Sequence, residues 1–418
     1  MPLMKRIRAH INSDQVTSLR PCSSCQVCGA VCPTSAIAYS LNRDGFIRPV
    51  VDEDKCIACG ECMRVCYRYD AELRKKGQSD LSQSTHYAAV TSDQNRLRRS
   101  TSGGVAGELI DELIRESYTC AGVEYNLHTD QAEYLLAGNW EESEKFVGSK
   151  YIQSYVGIVF STILSACRKK QYAIVGLPCQ IYGLDRALRA KGVRDRHVLI
   201  DLYCHGCPSR LVWDGYMSCV RSRTISSEIR ELRFRTKIGA SWGQYRVGLY
   251  DAEGVTKFSG KTQRDPFYDL FFSNQLLNDS CSSCLLRGNL TFSDIRLGDF
   301  WGDKFVMNSQ GVSLVSLNSE RGASLFGKIK DRLSLAEMVP PTSFAKHQSL
   351  FNDYSVDDSL RDRILSLLRE GGGIESAHQE LIDSYGWSKR AGEYLKYLLS
   401  LLPYKVTQIT KLLYYKLF

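Results

Sequence analysis

The strongest constraint on this chain is a cysteine pattern that occurs twice near its N-terminus. Each copy reads C-x2-C-x2-C-x3-C, and the second copy follows the first by 34 residues, the distance from Cys22 to Cys56. The spacing lets thiolates surround one compact group if the backbone curls tightly, which the small residues between the cysteines permit. The eight cysteines are Cys22, Cys25, Cys28, Cys32, Cys56, Cys59, Cys62 and Cys66.

This spacing is typical of bacterial ferredoxins, which hold two [4Fe-4S] clusters and take the fourth ligand of each cluster from the other run. The pattern therefore predicts one cluster on Cys22, Cys25, Cys28 and Cys66, and a second on Cys56, Cys59, Cys62 and Cys32. Pro33 follows the first run, as is usual. Tyr67 stands at the corresponding place after the second run. The direction that the backbone takes after that run is therefore not predicted.

Disulfide bridges and structural zinc are the two other uses of such cysteines. Disulfides require an oxidising compartment, yet residues 1–14 carry three basic side chains with no apolar core after them, so no secretory signal is expected. Zinc needs only four ligands per site, and a third cysteine followed by x3-Cys is surplus to it. The cluster interpretation is favoured over both.

Length and composition set further bounds. The 418 residues exceed one ordinary core, so two or three domains are expected, and 43% hydrophobic with 24% charged residues is typical of a globular protein. The net charge of +8 is mild and lacks basic blocks interleaved with aromatics, so no nucleic acid partner is expected. Sixteen cysteines without an export signal or a membrane span predict a cytoplasmic protein.

Strand-like and helix-like runs alternate between residues 117 and 203, which favours an α/β sheet layered with helices. Two of the predicted strands, 172–176 and 197–203, lead into turns that carry Cys179 and Cys204, where ligands usually bind. No G-x-G-x-x-G follows a strand, so a nicotinamide site of the Rossmann type is not predicted.

A helix is predicted to begin after the stretch S-T-S-G-G at residues 100–104. Its first backbone N–H groups could receive a phosphate, although an ordinary serine N-cap explains the same residues. A hairpin region is predicted at 229–260, with its turn at 251–254. Cys281 and Cys284 then form a C-S-S-C pair ahead of a predicted strand at 294–298.

Several motifs follow the cysteine repeat in a fixed order. They are S-T-S-G-G, G-S-K-Y-I-Q-S at 148–154, G-L-P-C-Q at 176–180, D-L-Y-C-H-G-C-P-S at 201–209, C-S-S-C at 281–284 and D-I-R-L-G-D-F-W-G at 294–302. Over residues 20–320 the chain thereby resembles the family of coenzyme F420 hydrogenase/dehydrogenase beta subunits, and so many motifs in one order argue against a chance match.

The resemblance implies an iron-sulfur flavoprotein oxidoreductase that relays electrons between [4Fe-4S] clusters and FAD, and on to coenzyme F420 or another organic acceptor or donor. Relatives also accompany polysaccharide biosynthesis enzymes, which makes such a pathway one setting. By the same resemblance, Ser102, Gly103 and Gly104 bind the FAD pyrophosphate, and Lys150 and Gln153 lie close to the flavin. A redox partner protein or a soluble electron carrier is expected. The alternative is a non-catalytic electron-transfer subunit that serves a partner enzyme.

The cysteines outside the repeat leave three alternatives. A third [4Fe-4S] cluster would use Cys179, Cys204, Cys281 and Cys284. Structural zinc would use the two C-x2-C pairs, which requires Cys207, a cysteine not usual in the family. Plain buried thiols are the third alternative, and this role is expected for Cys120, Cys167 and Cys219, which lie in apolar or helical surroundings.

The motifs divide the chain into a ferredoxin-type domain at 1–75, a flavin-binding α/β domain at 85–340 and a helical C-terminal extension at 341–418, with a polar linker near 71–84. Residues 394–418 are rich in Leu and Tyr, carry four lysines and lack acidic residues. This composition predicts peripheral contact with an anionic membrane or a partner, although a helix packed on the body explains it equally.

Overall fold

The computed structural model describes residues 22–76, 80–224, 229–237, 242, 245–260, 265–348, 353–387, 389–392, 406 and 409. In these residues the strands are β1 (Ile37–Leu41), β2 (Ile47–Val51), β3 (Thr85–Thr91), β4 (Thr119–Asn126), β5 (Gln131–Ala137), β6 (Ser154–Tyr155), β7 (Tyr172–Gly176), β8 (Val198–Leu202), β9 (Glu231–Arg233), β10 (Gly248–Tyr250), β11 (Thr256–Ser259), β12 (Ile295–Asp299), β13 (Ser313–Leu317) and β14 (Leu333–Met338). The α-helices are α1 (Val27–Ala30), α2 (Glu61–Val65), α3 (Ala71–Lys76), α4 (Gln94–Arg99), α5 (Val105–Arg115), α6 (Trp140–Ser143), α7 (Val159–Ala166), α8 (Pro178–Ala190), α9 (Arg210–Ser222), α10 (Pro266–Phe272), α11 (Asp279–Ser282), α12 (Glu320–Ile329), α13 (Asp358–Arg369) and α14 (Gly373–Asp383).

Nine strands form one mixed sheet in the order β14-β3-β13-β12-β8-β7-β4-β5-β6. Strands β12, β8, β7 and β4 are parallel neighbours, whereas β13 pairs antiparallel with both β12 and β3. The predicted α/β sheet is therefore confirmed, with antiparallel strands added on both sides of a parallel centre. The carboxyl ends of β3, β12, β8 and β7 meet at the same edge of the sheet, which we call the carboxyl edge.

Helices cover both faces of this sheet. Helices α5 and α12 pack on one face, while α7 and α8 pack on the other. Along β7 the side chains alternate between these layers, because Ala173 belongs to the first core and Ile174 to the second. Burying one large apolar side chain in such a core stabilises the fold by roughly 1.5–3 kcal/mol.

The two-cluster region docks directly on the face covered by α8. Strands β1 and β2 form an antiparallel hairpin, and Val27, Val65 and Tyr67 bury their side chains in the same core as α8. A Cβ at Gly183 of α8 would lie 2.9 Å from the side chain of Val27, so glycine permits this close approach. Electron carriers placed in this region would therefore be held against the sheet domain.

The predicted linker near 71–84 is only partly a linker. Residues 71–76 form α3, whose Leu73 is buried, and Leu81–Gln83 form a 3-10 turn with Leu81 buried. The burial of these two leucines could not be predicted from the polar composition, because one buried leucine in each short segment gives no periodic signal.

The described part of the C-terminal region continues the core. Helices α13 and α14 pack with α9 around the small sheet β11-β10-β9, whose hairpin has its turn at the predicted place. Apart from positions 406 and 409, the segment 394–418 lies outside the described residues, so its predicted membrane or partner contact stays a prediction. None of the described helices combines the length and the apolar character needed to cross a membrane.

Candidate iron-sulfur and flavin sites

One small cavity collects the four cysteines that the spacing assigns to the second cluster, namely Cys32, Cys56, Cys59 and Cys62. Three come from the second run and one crosses from the first, as the spacing predicts. Apolar residues including Ile37 and Val51 complete the wall, and the Cys59 side of the site is exposed. The residues present fit a cluster that lies near the protein surface.

The remaining four cysteines of the repeat lie close enough for their charges to shift the pKa values of neighbouring thiols. Burial raises the pKa of the Cys28 thiol well above its ordinary value, and charges on Cys25, Cys22 and Cys66 add to the shift. Burial likewise raises the pKa of Cys66, with further contributions from Cys25 and Cys22. Thiolates crowded in this way require compensating positive charge, which a metal centre supplies. These residues fit the first predicted cluster, and their assignment as ligands stays a prediction.

The two cysteine loops share one backbone conformation. Ser24 and Gln26 in the first loop adopt left-handed φ angles of 60° and 63°, and Ala58 and Gly60 adopt 52° and 82° at the corresponding places of the second. Three of these four residues carry a Cβ, for which this conformation is unfavourable. The repeated strain indicates that both loops are shaped to curl around the same kind of group.

Hydrogen bonds join the first cysteine loop to the sheet domain. The Gln26 side chain donates to the Ser154 carbonyl at 2.8 Å and accepts from the Val156 N–H at 3.2 Å. The Gln153 amide donates to the Ser24 carbonyl at 3.1 Å and accepts from the Ile47 N–H at 3.3 Å. Gln153, predicted beside the flavin, thus anchors the ferredoxin loop through both of its polar atoms.

A third group of cysteines lies at the carboxyl edge, beside the first loop. It comprises Cys179 in the first turn of α8, Cys204 and Cys207 after β8, and Cys281 and Cys284 around α11. Burial raises the pKa of Cys204 to about 12, and charges on Cys281 and Cys284 add to the shift. Burial also raises the pKa of Cys207 well above its ordinary value, with contributions from Cys204, Cys281 and Cys284. The structure thus brings together all four residues of the predicted third set, and Cys207 with them.

No cysteine in the chain forms a disulfide, and all sixteen are among the described residues. Of the three cysteines expected in the core, Cys120 and Cys167 are buried and Cys219 is partly buried. Among the described residues, no three His, Cys, Asp or Glu side chains converge closely enough to hold a single metal ion. A four-iron cluster spreads its thiolates more widely than a lone zinc ion does.

His205, between Cys204 and Cys207, has both ring nitrogens engaged. Nε2 lies 2.7 Å from Oδ1 of Asn274, and Nδ1 lies 3.1 Å from the Tyr354 hydroxyl. Burial lowers the pKa of this imidazole to about 4. These contacts favour a structural role in holding the Cys-His-Gly turn over a role as proton donor.

The predicted pyrophosphate segment lies at the carboxyl edge, where β3 ends. The Ser102 hydroxyl donates to the Val312 carbonyl at 2.7 Å, and the Gly103 N–H donates to the Ser313 hydroxyl at 3.0 Å. A Cβ at Gly103 would lie 2.3 Å from the Ala89 carbonyl oxygen, so this position accepts only glycine without rearrangement. Gly104 begins α5 with φ 80° and provides no side-chain cap. The N-cap position of this 11-residue helix therefore offers no side-chain acceptor to the N–H groups of the first turn.

Lys150 lies in a segment that contacts the predicted pyrophosphate segment, since the Ser149 N–H donates to the Thr101 hydroxyl at 2.8 Å. The Lys150 ammonium, however, lies 3.0 Å from the carbonyls of both Phe146 and Val147 and 3.3 Å from that of Lys145. Burial lowers the pKa of Lys150 to about 7. In this arrangement Lys150 caps the 3-10 turn Glu144–Phe146, and its predicted contact with flavin stays a prediction.

Two cations near this loop were not identified from the sequence. Lys237 donates to the Ser102 and Leu97 carbonyls, both at 2.8 Å. Arg235, which is 5% exposed, contacts Asp299 at the end of β12 at 2.5 Å. Within the described residues, its Nε and Nη2 atoms are buried and have no hydrogen-bond partner. An unpaired buried guanidinium edge indicates a missing anionic or carbonyl acceptor.

Aromatic rings surround Arg235. Its guanidinium lies 4.6 Å from the Tyr245 ring centre and 5.4 Å from that of Trp301. Trp301 stacks on Trp242 with centroids 5.0 Å apart and planes inclined by 7°. Trp301 is half-buried beside this cation, whereas Phe300 is fully buried. This surrounding suits a planar, polar ligand.

Comparisons with known proteins agree with both halves of this architecture. Residues 21–68 match a 4Fe-4S dicluster domain, and residues 169–341 match the C terminus of the coenzyme F420 hydrogenase/dehydrogenase beta subunit. A similar curated protein is a subunit of the F(420)H(2) dehydrogenase of Methanosarcina mazei, 23% identical over 333 residues, which span 77% of this chain and 85% of that protein. A similar solved chain belongs to the F420-reducing [NiFe] hydrogenase complex of Methanosarcina barkeri, with 15% identity, a TM-score of 0.43, and coverage of 73% of this chain and 92% of that one.

The dicluster match and the paired cysteine loops define an iron-sulfur electron-transfer protein with two [4Fe-4S] clusters. Residues 169–341 match a domain of an oxidoreductase family, so the resemblance drawn from the motifs is confirmed. The chain combines an N-terminal 4Fe-4S dicluster domain with the C-terminal domain of the coenzyme F420 hydrogenase/dehydrogenase beta subunit.

Proposed function

We propose that the chain is an iron-sulfur flavoprotein oxidoreductase that relays electrons between its clusters and FAD, and on to coenzyme F420 or another organic acceptor or donor. The observation that carries this proposal is the contact between the first cysteine loop and the carboxyl edge. Cys25 and Cys179 pack against the same core, and after burial the charge on Cys25 contributes most to raising the pKa of Cys179. An electron on the first cluster would thus be beside the third cysteine group.

A third [4Fe-4S] cluster on Cys179, Cys204, Cys281 and Cys284 completes the relay in this proposal. These thiols are partly buried, and loss of solvation together with the charges of neighbouring thiols raises the pKa of Cys179, Cys204 and Cys281, so a positively charged centre is required if they are to be thiolates. Arg296 donates to the Asn289 carbonyl at 2.7 Å and to the Arg287 carbonyl at 2.8 Å, which fixes the loop that follows Cys284. Rigid support of this kind keeps four ligands in place.

The proposed clusters differ in how close they lie to the protein surface. Cys59 is exposed and Ile57 beside it is 65% exposed, so the second cluster is the one that a partner can approach. The first cluster lies deeper, and the third group lies at the carboxyl edge. The similar curated protein is by name one subunit of a dehydrogenase, which supports a partner protein that exchanges electrons with the second cluster.

FAD is proposed to bind along the carboxyl edge, between the first turn of α5 and Arg235. The dipole of α5 and the ammonium of Lys237 favour the pyrophosphate, and the unpaired nitrogens of Arg235 favour a carbonyl or phosphate oxygen. When bound, the flavin would exchange electrons singly with clusters and in pairs with an organic compound.

Flavin content tests this part of the proposal. Purified and reconstituted anaerobically, the chain is expected to release about one flavin on acid denaturation, in keeping with one site. Arg235→Met is expected to lower the flavin content strongly, because it removes the unpaired donors. Arg233→Met is the matched control, since that guanidinium pairs with Glu231 on β9 instead. A wild-type chain that releases no flavin would contradict the proposal.

Iron content tests the third cluster. The wild type is expected to hold about twelve iron atoms, and the double variant Cys281→Ala/Cys284→Ala about eight. Cys167→Ala is the control and should keep all of the iron, because that thiol is buried away from the group and donates to the Leu164 carbonyl. Eight iron atoms in the wild type would exclude a complete third cubane.

Activity of the chain alone distinguishes an enzyme from an electron-transfer subunit. The proposal expects the chemically reduced, flavin-loaded chain to reduce coenzyme F420 or another soluble organic acceptor. Reduction that requires an added partner enzyme would favour the non-catalytic alternative.

A further inference from the structure

Tyr67 occupies an unusual place in the cysteine repeat. It follows Cys66 directly, where the first run has Pro33 after Cys32. Unlike proline it carries a hydroxyl, and it begins the 3-10 turn Tyr67–Tyr69 that packs against α8, whose first turn holds Cys179. The side chain therefore lies between the end of the ferredoxin repeat and the third cysteine group.

The Tyr67 side chain is firmly held and deeply buried. It is 1% exposed, its ring meets that of Tyr182 edge-on with centroids 6.2 Å apart, and the Arg68 guanidinium lies 5.5 Å from the ring centre. Cys25, Cys179 and Cys284 pack against the same core. The hydroxyl is thus fixed by packing in surroundings that contain thiols from two proposed clusters.

The Tyr67 hydroxyl has no hydrogen-bond partner among the described residues. Leaving a buried hydroxyl unpaired destabilises the folded state, so buried tyrosines normally find an acceptor. The neighbouring tyrosines do so, because Tyr182 donates to Asp70 and Tyr134 lies 2.9 Å from Oε1 of Gln180. Cys179 and Cys284 pack against the core that contains Tyr67, and after burial the charges on Cys284, Cys179 and Cys281 raise the pKa of the Tyr67 hydroxyl, whereas Arg68 lowers it, so thiols of the third group lie near this hydroxyl.

We propose that the Tyr67 hydroxyl donates a hydrogen bond to a sulfur of the cluster held by Cys179, Cys204, Cys281 and Cys284, and that this bond raises the reduction potential of that cluster. The proposal rests on the third cluster of the proposed function. Reduction adds negative charge to the sulfurs, so a donor stabilises the reduced state more than the oxidised state. Tyr67 would then make the third cluster a better electron acceptor from its neighbour, the first cluster.

A redox titration of the reconstituted full-length chain, followed by electron paramagnetic resonance, tests this role. The signal of the third cluster is the one that disappears in the variant Cys281→Ala/Cys284→Ala. Tyr67→Phe keeps the ring and removes only the hydroxyl, and it is expected to retain about twelve iron atoms and to shift the potential of that signal to a more negative value. Tyr182→Phe is the matched control and is expected to leave the potential unchanged, since its hydroxyl is paired with Asp70.

The outcomes separate this inference from the proposed function. An unchanged potential in Tyr67→Phe with twelve iron atoms overturns the role of Tyr67 and leaves the third cluster intact. Eight iron atoms in the wild type overturn both, because the hydroxyl would have no cluster to bind. Tyr67→Phe could lose the third cluster while the wild type and Tyr182→Phe keep it. In that case the hydrogen bond is tested by comparing the Fe–S stretching bands of the wild type in H2O and in D2O. A shift of the bands of the third cluster supports the hydrogen bond, and no shift overturns it.

Discussion

Asp201 and Arg296 form an ion pair from which solvent is completely excluded. Nη2 of Arg296 lies 2.5 Å from Oδ2 of Asp201, and Nε lies 3.0 Å from both carboxylate oxygens. The pair joins β8 to β12 and anchors the loop that follows Cys284. Arg296→Met is expected to lower the free energy of unfolding by about 3–5 kcal/mol, because it leaves the buried Asp201 carboxylate with the Ser293 hydroxyl but without its cationic partner. Denaturant-induced unfolding measures the loss.

The control for this prediction is an exposed ion pair. Arg223 and Glu375 are 59% and 66% exposed, so Arg223→Met is expected to leave the free energy of unfolding nearly unchanged. Equal losses for the two variants would contradict a structural role for the buried pair.

Gly103 lies where an added side-chain atom would clash with the neighbouring backbone. Gly103→Ala is expected to destabilise the fold by roughly 1–3 kcal/mol or more and to reduce flavin binding, since its Cβ would lie 2.3 Å from the Ala89 carbonyl and 2.7 Å from the Ser313 nitrogen. Among the described residues, Gly327 in α12 has no neighbouring atom within 4 Å of the same added Cβ. Gly327→Ala is therefore expected to raise stability by about 0.5–1 kcal/mol. Thermal unfolding and acid-released flavin, measured on both variants, check the two expectations.

The parallel centre of the sheet and the cysteine runs could be predicted from local patterns. Strand β7 occupies the predicted residues 172–176, because its apolar run is bounded by turn signals. The combination of Cys32 with three cysteines of the second run followed from spacing alone. These features depend on periods of a few residues, which a single sequence displays.

The surroundings of the proposed flavin site could not be predicted in this way. Gln153 binds Ser24, 129 residues earlier, and Arg235 binds Asp299, 64 residues later. No local period marks such pairs, because tertiary packing between segments that are distant in the sequence decides them. Tyr67 gave a local signal, its place after the second run, but its buried hydroxyl is evident only in the packed structure.

His197 is expected to make the fold sensitive to acid. It is fully buried, with Nδ1 accepting from the Tyr172 N–H at 3.1 Å and Nε2 3.1 Å from the Cys167 carbonyl, an arrangement that needs the neutral ring. Burial lowers its pKa from 6.5 to about 4. The unfolded state therefore binds the proton more readily, and this group costs the fold up to about 3 kcal/mol as pH falls from 6.5 to 4.

The measurement is the free energy of unfolding between pH 7 and pH 4 for the wild type and for His197→Asn. The wild type should lose stability more steeply than the variant, which cannot be protonated at this position. Parallel pH dependence in the two proteins would show that His197 does not contribute.

The central claim is that electrons reach the flavin through the third cysteine group. The most direct test is the rate at which the flavin absorbance of the anaerobic, reconstituted chain bleaches after mixing with a reduced one-electron carrier protein. The wild type should bleach rapidly, and Cys281→Ala/Cys284→Ala should bleach far more slowly while retaining its flavin and about eight iron atoms. Equal rates in the two proteins would contradict the relay.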